Sequence, residues 1–140
     1  MIFLDQYCTF INYRGISKIL VTTMKFKIEK YSFGKMIIGE NVFTSDLIIH
    51  SDGHIQDNWW RVQGHRLQLD DITTALDSVP KKLIIGTGAI GLMRVSENVL
   101  NLCKKQKIEV VVCRTAMAVK RYNEATEAGI AVAACFHLTC

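Results

Sequence analysis

The sequence predicts an α/β fold, a three-layer β+β/α sandwich with a mixed central sheet. Three observations lead to this prediction. The first half of the chain contains short apolar segments separated by turn residues, and the second half alternates apolar strands with amphipathic helical segments. The last apolar run, residues 130–138, is apolar on both faces, which is typical of a strand covered by a layer on each side. We expect the helices on one face of the sheet and the amino-terminal hairpins on the other.

A single domain accounts for the whole pattern. The chain has 140 residues, 49% of them hydrophobic and 21% charged, which suits one core and argues against disorder. The regular pattern begins at Met24, so the domain is predicted over residues 24–140. Residues 1–23 have mixed composition and fit an added strand, a flexible arm or upstream sequence read from an earlier start codon. We favour a dispensable extension.

The first half is predicted to form an antiparallel meander. Phe26 and Ile28 alternate with charged residues over residues 24–30, as in a half-buried strand. Three further strands are predicted over residues 35–38, 41–43 and 47–50, with turn-type residues between them. Trp59 and Trp60 continue the alternation, so one tryptophan should face away from the core.

The second half is predicted to alternate helices and strands. Asp70 is the predicted cap of a short helix that ends at Pro80, with apolar positions at Ile72, Ala75, Leu76 and Val79. A strand over residues 83–85, a loop over residues 86–91 and a helix capped by Ser96 follow, the helix burying Val99, Leu100 and Cys103. A strand over residues 108–113 precedes a helix that Thr115 is predicted to cap and that runs through Ala128 and stops at Gly129. A helix that connects two strands of one sheet is a crossover connection, and crossovers of this kind imply parallel strands.

The glycine-rich loop is a candidate ligand site. Its glycines have the spacing Gly86-x-Gly88-x-x-Gly91, which lets backbone N–H groups approach a phosphate. A dinucleotide site also needs a helix that begins inside the motif, and here residues 92–95 lie between the loop and the next helix. We therefore expect that these glycines serve mainly to allow a tight backbone conformation in the loop. The alternative is a small anion-accepting cleft at the carboxyl ends of two parallel strands. Its predicted lining is Gly86, Thr87, Gly88, Gly91, Arg114 and Thr115, with Arg94 and Ser96 as further members.

A second candidate site is an interaction patch at Trp59, Trp60 and Arg61. Tryptophan and arginine are the residues most enriched at the energetic centres of protein contacts. The competing interpretation is that at least one of the two tryptophans packs in the core.

Metal and catalytic sites are not predicted. Cys135, His137 and Cys140 offer suitable ligands, but strand alternation places Cys140 on the opposite face from the other two. The five cysteines are an odd number without a C-x-x-C pair, so neither a disulfide framework nor a zinc ribbon is indicated. Four histidines and several aspartates are present without a nucleophile elbow, an H-E-x-x-H or a Walker motif. We predict no cofactor.

Charge and hydropathy limit the partners. The formal net charge of +4 is spread along the chain without a block of basic residues, so no nucleic-acid partner is expected. The longest apolar run, residues 130–136, is far shorter than the roughly 18 residues that span a bilayer, so no transmembrane segment is expected. Residues 1–5 do not resemble a secretory signal, which favours the cytoplasm.

Several segments, in order, resemble the Mth-type domain family of unknown function. They are residues 31–36 (YSFGKM), 45–46 (SD), 59–61 (WWR), 64–65 (GH), 83–88 (LIIGTG), 116–123 (AMAVKRYN) and 136–140 (FHLTC). The family includes a mitochondrial respiratory complex I assembly factor and an adipogenesis-associated cytosolic protein. The resemblance implies a three-layer fold with a mixed central sheet, and it implies little chemistry. The ending at residues 136–140 is more similar to the adipogenesis-associated branch, so the complex I role is not carried over.

These observations favour a cytosolic, non-enzymatic interaction or assembly module with one or more protein partners. The alternative is a small-molecule (anion or nucleotide) binding protein, or an enzyme, that uses the loop at residues 86–91 and Arg114. Self-association is left open.

Overall fold

A computed structural model describes residues 27–140. The predictions for residues 1–23, and for the start of the first strand at Met24 and Phe26, lie outside this part of the chain. Among residues 27–140, no helix has the length and apolar character that crossing a membrane requires.

The structure has ten strands and three α-helices in the described part of the chain. In chain order they are β1 (Ile28–Ser32), β2 (Lys35–Ile38), β3 (Asn41–Phe43), β4 (Leu47–Ile49), β5 (Ile55–Gln56), β6 (Arg66–Leu67), α1 (Thr73–Asp77), β7 (Lys82–Gly86), β8 (Arg94–Val95), α2 (Glu97–Lys105), β9 (Glu109–Cys113), α3 (Thr115–Glu127) and β10 (Val132–Phe136). A 3₁₀ helix, Leu69–Ile72, leads into α1. The α/β class and the mixed sheet are confirmed.

The central sheet has the strand order β5-β4-β10-β7-β9. β10, β7 and β9 are parallel, with Ile85 of β7 opposite Val112 of β9, and β4 and β5 are antiparallel to their neighbours. The predicted meander is only partly correct. β1, β2 and β3 form a separate antiparallel sheet, and β4 joins the central sheet beside β10. All five residues of β10 are buried, as a central strand covered on both faces requires.

The distribution of the helices differs from the prediction. α3 packs on the same face of the central sheet as β1 and β2, in a core that includes Met36, Tyr122 and Phe136. α1 and α2 cover the opposite face, in a core that includes Trp59 and Cys103. The reason is topological: the chain moves outward from β7 to β9 through α2 and returns from β9 to β10 through α3. Right-handed crossovers in opposite directions place their helices on opposite faces.

Two predicted helix caps are wrong. Asp70 does not begin the first helix, because a 3₁₀ turn comes before α1 and the Asp71 carboxylate accepts the N–H groups of Gln68 (2.8 Å) and Val62 (3.2 Å). Thr115 is the first residue of α3 rather than its cap, since Arg114 occupies the cap position.

Two predicted core positions are also exposed. Val79 lies beyond the end of α1 with a φ of +53°, and Leu100 faces solvent on α2. The remaining core positions predicted for α2, Val99 and Cys103, are fully buried.

Candidate functional site

The most exposed large apolar side chains among the described residues lie in one short segment, residues 59–62, which we call the tryptophan segment. It has no strand partner, contrary to prediction, but its side chains still alternate. Trp59 is 5% exposed, whereas Trp60 is 83% and Val62 81% exposed. One tryptophan thus faces away from the core, as the alternation predicts.

Trp59 fastens the segment to the domain. Its indole Nε1–H donates to the backbone carbonyl of Asp71 at 2.8 Å, and its ring packs in the core beneath α1 and α2. The Arg61 guanidinium carbon lies 4.7 Å from the centre of the indole, within the range of a cation–π contact. The backbone N–H of Trp59 donates to the Asp46 carbonyl at 2.9 Å.

Arg61 joins a buried polar cluster with Asp46 and His137. The guanidinium Nη2 and the imidazole Nδ1 both lie 2.8 Å from Asp46 Oδ2. The backbone N–H of Leu138 donates to Oδ1 of the same carboxylate at 2.8 Å. The side chains of Arg61, His137 and Asp46 are 5%, 7% and 16% exposed. The carboxylate therefore joins its own segment to two distant parts of the chain, around residues 61 and 137–138.

The hydrogen bonds of the cluster favour the ionised form of Asp46. Burial raises the pKa of Asp46, but the hydrogen bonds from His137, Leu138 and Arg61, with the charge of His137, outweigh that effect and lower it. Because an ionised carboxylate only accepts, His137 Nδ1 must carry the proton in their bond. The 3.2 Å contact between Arg61 Nη2 and His137 Nδ1 is then a contact of two donors that share one acceptor.

Three buried polar atoms have no hydrogen-bond partner among residues 27–140. They are Arg61 Nη1, His137 Nε2 and Ser96 Oγ. His65 lies beside the cluster, its ring centre 5.7 Å from that of His137 in an edge-to-face arrangement. Unpaired buried polar groups cost stability, so Arg61 Nη1 and His137 Nε2 destabilise the Asp46–Arg61–His137 cluster and make it a candidate functional position.

Two grooves flank the tryptophan segment. One has a cavity volume of about 410 Å³ and is lined by Ser45, Asp46, Asn58, Gly64 and the segment itself. The other has a cavity volume of about 430 Å³ and is lined by Gln56, Asp70, Asp71, Thr73, Thr74 and the segment. Trp60 and Val62 stand between these grooves as a ridge. A ridge of exposed apolar side chains between two polar-edged grooves suits a partner's surface better than a small molecule.

The structure brings the predicted anion-site residues together at one edge of the sheet. Thr115 Oγ1 accepts the Gly88 N–H at 2.9 Å and donates to the His137 carbonyl at 2.6 Å. The N–H and the hydroxyl of Thr87 both donate to the Cys113 carbonyl. These polar groups are thus engaged within the chain.

Residues 139–140 lie across the glycine-rich loop. Ala89 N–H donates to the Thr139 carbonyl at 2.6 Å, and Leu92 N–H donates to the Cys140 carbonyl at 3.0 Å. Gly88 has a φ of +110°, and a β-carbon there would collide with the Cys140 backbone. Glycine is therefore required for a close approach of two backbone segments. Gly91 lies against the side chain of Arg114, which is exposed.

An anion at this loop would have to displace the chain's own carbonyl groups from the loop N–H donors. The anion cleft lined by Gly86, Thr87, Gly88, Gly91, Arg114 and Thr115 therefore stays a prediction.

The cysteines of the described residues differ in burial, and two of them, Cys103 and Cys135, lie in the same core cluster. Burial raises the pKa of the Cys135 thiol far above its usual range, and it also raises the pKa of Cys103. Cys103, Cys113, Cys135 and Cys140 are all free. Within residues 27–140, no three His, Cys, Asp or Glu side chains are grouped in a way that could hold a metal ion.

Sequence reasoning identified Trp59, Trp60 and Arg61 but missed the partners of Arg61. Asp46 and His137 are 15 and 76 residues from it, and no spacing rule connects them. The one available signal was that both lie in segments that carry the family resemblance.

Comparison with known proteins supports this fold. Residues 28–137 match a family described as protein of unknown function (DUF498/DUF598). A solved structure named MT938 is 25% identical, with a TM-score of 0.68 over 83% of this chain and 100% of that one. An outer membrane protein from Bartonella henselae is 22% identical, with a TM-score of 0.72 over 86% of this chain and 100% of that one. A Mth938-like domain from Bordetella pertussis is 16% identical, with a TM-score of 0.54 over 89% of this chain and 92% of that one.

Proposed function

Because this chain belongs to the family of proteins of unknown function DUF498/DUF598, with a Mth938-like domain, we propose its role from its own surface. It is a non-enzymatic interaction or assembly module that binds a protein partner through the tryptophan segment. The observation that carries this proposal is the exposure of Trp60 (83%) and Val62 (81%) on a segment whose other two side chains are held inside the domain.

Exposed tryptophan is favourable for binding only if its position is fixed in advance. A side chain on a mobile loop loses conformational entropy when it binds, and this loss offsets part of the contact energy. Here Trp59 and Arg61, on either side of Trp60, are buried and hydrogen-bonded. The segment therefore presents Trp60 at low entropic cost, and its removal should weaken binding by about 2 kcal/mol or more, as for other central tryptophans.

The position of the grooves supports a protein rather than a metabolite as the partner. The two grooves lie on either side of the Trp60–Val62 ridge, so a partner that covers the ridge can place its own side chains in both. Interfaces of this kind have an apolar centre and a polar rim. The rim here is supplied by Asn58, Asp70 and Thr74.

The same proposal places the protein in the cytoplasm. The four free cysteines of the described residues support a reducing compartment. An assembly role requires protein contact and no chemistry, which fits a resemblance that implies little chemistry.

The proposal is tested by quantitative affinity capture from the native cell with three forms of the full chain. These are the wild type, Trp60→Ala and Phe33→Ala, the last being a matched control because Phe33 is also an exposed aromatic residue (65%) outside the segment. The expected result is a partner whose recovery falls at least about 30-fold with Trp60→Ala, the equivalent of 2 kcal/mol, and is unchanged with Phe33→Ala. A partner recovered equally by all three forms would contradict the proposal.

A further inference from the structure

The outer edge of the central sheet carries a second interaction surface that is independent of the tryptophan segment. β9 is the last strand of the order β5-β4-β10-β7-β9, and no strand within residues 27–140 pairs with its outer side. Its sequence is EVVVC, with β-branched valines at its three central positions. Exposed strand edges of this kind are templates for pairing with another strand.

The hydrogen bonds to β7 show which backbone groups of β9 point outward. Glu109 N–H donates to the Lys81 carbonyl at 3.0 Å, and the Cys113 carbonyl accepts Thr87 N–H at 2.9 Å. Alternate residues of a strand bond to the same side, so the groups of Val111 also point to β7. The N–H and C=O groups of Val110 and Val112 are therefore directed away from the sheet.

We propose that a second copy of this chain pairs with this edge, β9 against β9, antiparallel, with Val111 opposite Val111 on the dyad. In this register Val110 of each copy faces Val112 of the other, and each such pair exchanges two hydrogen bonds.

The neighbouring residues favour this register over the two adjacent in-phase registers. Those registers would use the outward groups of Ile108 or Arg114. Ile108 N–H already donates to the Cys103 carbonyl at 2.8 Å, and the Arg114 carbonyl already accepts Ala118 N–H at 2.9 Å. Only Val110 and Val112 have both outward groups free of partners among the described residues, and the register centred on Val111 uses all of them.

The side chains are complementary in this arrangement. Glu109 of one copy faces Cys113 of the other, and Arg121 lies near enough to Cys113 for its charge to lower the pKa of that thiol against the raising effect of burial. Within its own chain Glu109 lies 3.7 Å from Lys82, and Arg121 pairs with Glu124 at 2.7 Å. The dyad adds a second opposite charge to each, because it brings Glu109 near Arg121 of the other copy on both sides. Val112, within the strand, is 45% exposed and would gain apolar cover.

The pairing involves a five-residue strand, so the interface lies at the small end of the range for specific contacts. We therefore expect a concentration-dependent dimer whose average mass rises from that of one chain, 15.8 kDa, toward twice that value on concentration.

Disulfide capture tests the register directly. Glu109→Cys would place a thiol opposite the native Cys113 of the second copy. Within one chain these residues are four positions apart, roughly 13 Å along a strand, which is beyond the reach of a disulfide. On mild oxidation the full-length variant should form a covalent dimer with the 109–113 link identified by peptide mass spectrometry. Glu97→Cys, an exposed acidic position at the start of α2, is the matched control and should not form such a link.

A charge exchange at the dyad provides the second test. Val111→Lys and Val111→Glu would each place like charges opposite each other, so each variant should be monomeric at concentrations where the wild type is a dimer. An equimolar mixture should recover a dimer. The proposal would be overturned if the wild-type chain stayed at 15.8 kDa at every concentration and the Glu109→Cys variant formed no 109–113 link. The same result is expected if residues 1–26 cover the edge, and it would overturn the proposal in that case too.

Discussion

Removal of the Asp46 carboxylate is predicted to be one of the most damaging single changes in this domain. Asp46→Ala would leave Arg61 and His137, whose side chains are 5% and 7% exposed, without their shared acceptor. It would also remove the acceptor of the Leu138 N–H. Breaking a buried ion pair by deleting one partner costs about 3–5 kcal/mol, because the remaining charge stays buried and uncompensated.

The expected magnitude is readily measured by thermal or denaturant unfolding. For a domain of this size each kcal/mol lowers the melting temperature by roughly 4 °C, so Asp46→Ala should lower it by roughly 12–20 °C. The matched control is Glu124→Gln, which breaks the pair of Arg121 and Glu124, whose side chains are 45% and 57% exposed. That change should cost about 0.5 kcal/mol or less. A loss below about 1 kcal/mol for Asp46→Ala would refute the view that this cluster fastens the tryptophan segment.

The pH dependence provides an internal check. The folded pKa of Asp46 is lowered, because the hydrogen bonds of its partners outweigh the raising effect of burial. Its contribution is therefore complete above the unfolded-state pKa of about 3.9, and it is lost as the pH falls through the lower folded value. The stability difference between wild type and Asp46→Asn should persist at pH 5 and should shrink as the pH falls below about 4. A difference that grew below pH 4 would contradict the ionised state of Asp46.

Three further predictions concern the glycine-rich loop and the thiols. Gly88→Ala should destabilise the domain by about 1–3 kcal/mol in an unfolding assay, because the φ of Gly88 is +110° and a β-carbon there would collide with the Cys140 backbone. Gly64→Ala is the control and should be neutral, because the space around Gly64 is open. Cys135 should react with a thiol reagent only at the rate of unfolding, since burial raises its pKa, and Cys113, which is half-buried, should react faster; equal rates would show that the core opens. Phosphate and nucleotides should leave the melting temperature unchanged, because the loop donors bond to the chain itself; a rise that is lost with Arg114→Ala would instead establish the anion cleft.

The positions of most strands could be predicted because they depend on local periodicity. The alternation around Trp59 and Trp60 correctly predicted that one of the two faces away from the core, even though the segment is not a strand. The parallel pairing of β7 and β9 followed from the helical crossover between them.

The side of the sheet on which α3 lies could not be predicted in the same way. Helical periodicity identifies Ala118 and Tyr122 as buried, but it does not say which layer buries them. That depends on β10 lying between β4 and β7, so that the chain reverses direction after β9. The strand order is a long-range property, and no turn or spacing in the sequence reports it.

The candidate site was likewise predictable from the sequence only in part. Trp60 and Arg61 were accessible to sequence reasoning as members of a candidate contact patch, but the burial of Arg61 was not predicted. The carboxylate that fixes Arg61, and the imidazole on the other side of it, come from segments far away in the chain. The glycine-rich loop suggested an open set of N–H donors, but residues 139–140 fold back to occupy two of them.

The most direct test of the central claim is photo-crosslinking from the tryptophan segment in the native cell. A photoreactive phenylalanine analogue is placed at position 60 in one form of the full chain and at the exposed position 33 in another. A discrete crosslinked protein partner is predicted from position 60 and none from position 33. The absence of any product from position 60, or the same products from both positions, would contradict the assignment of Trp60 as the binding contact.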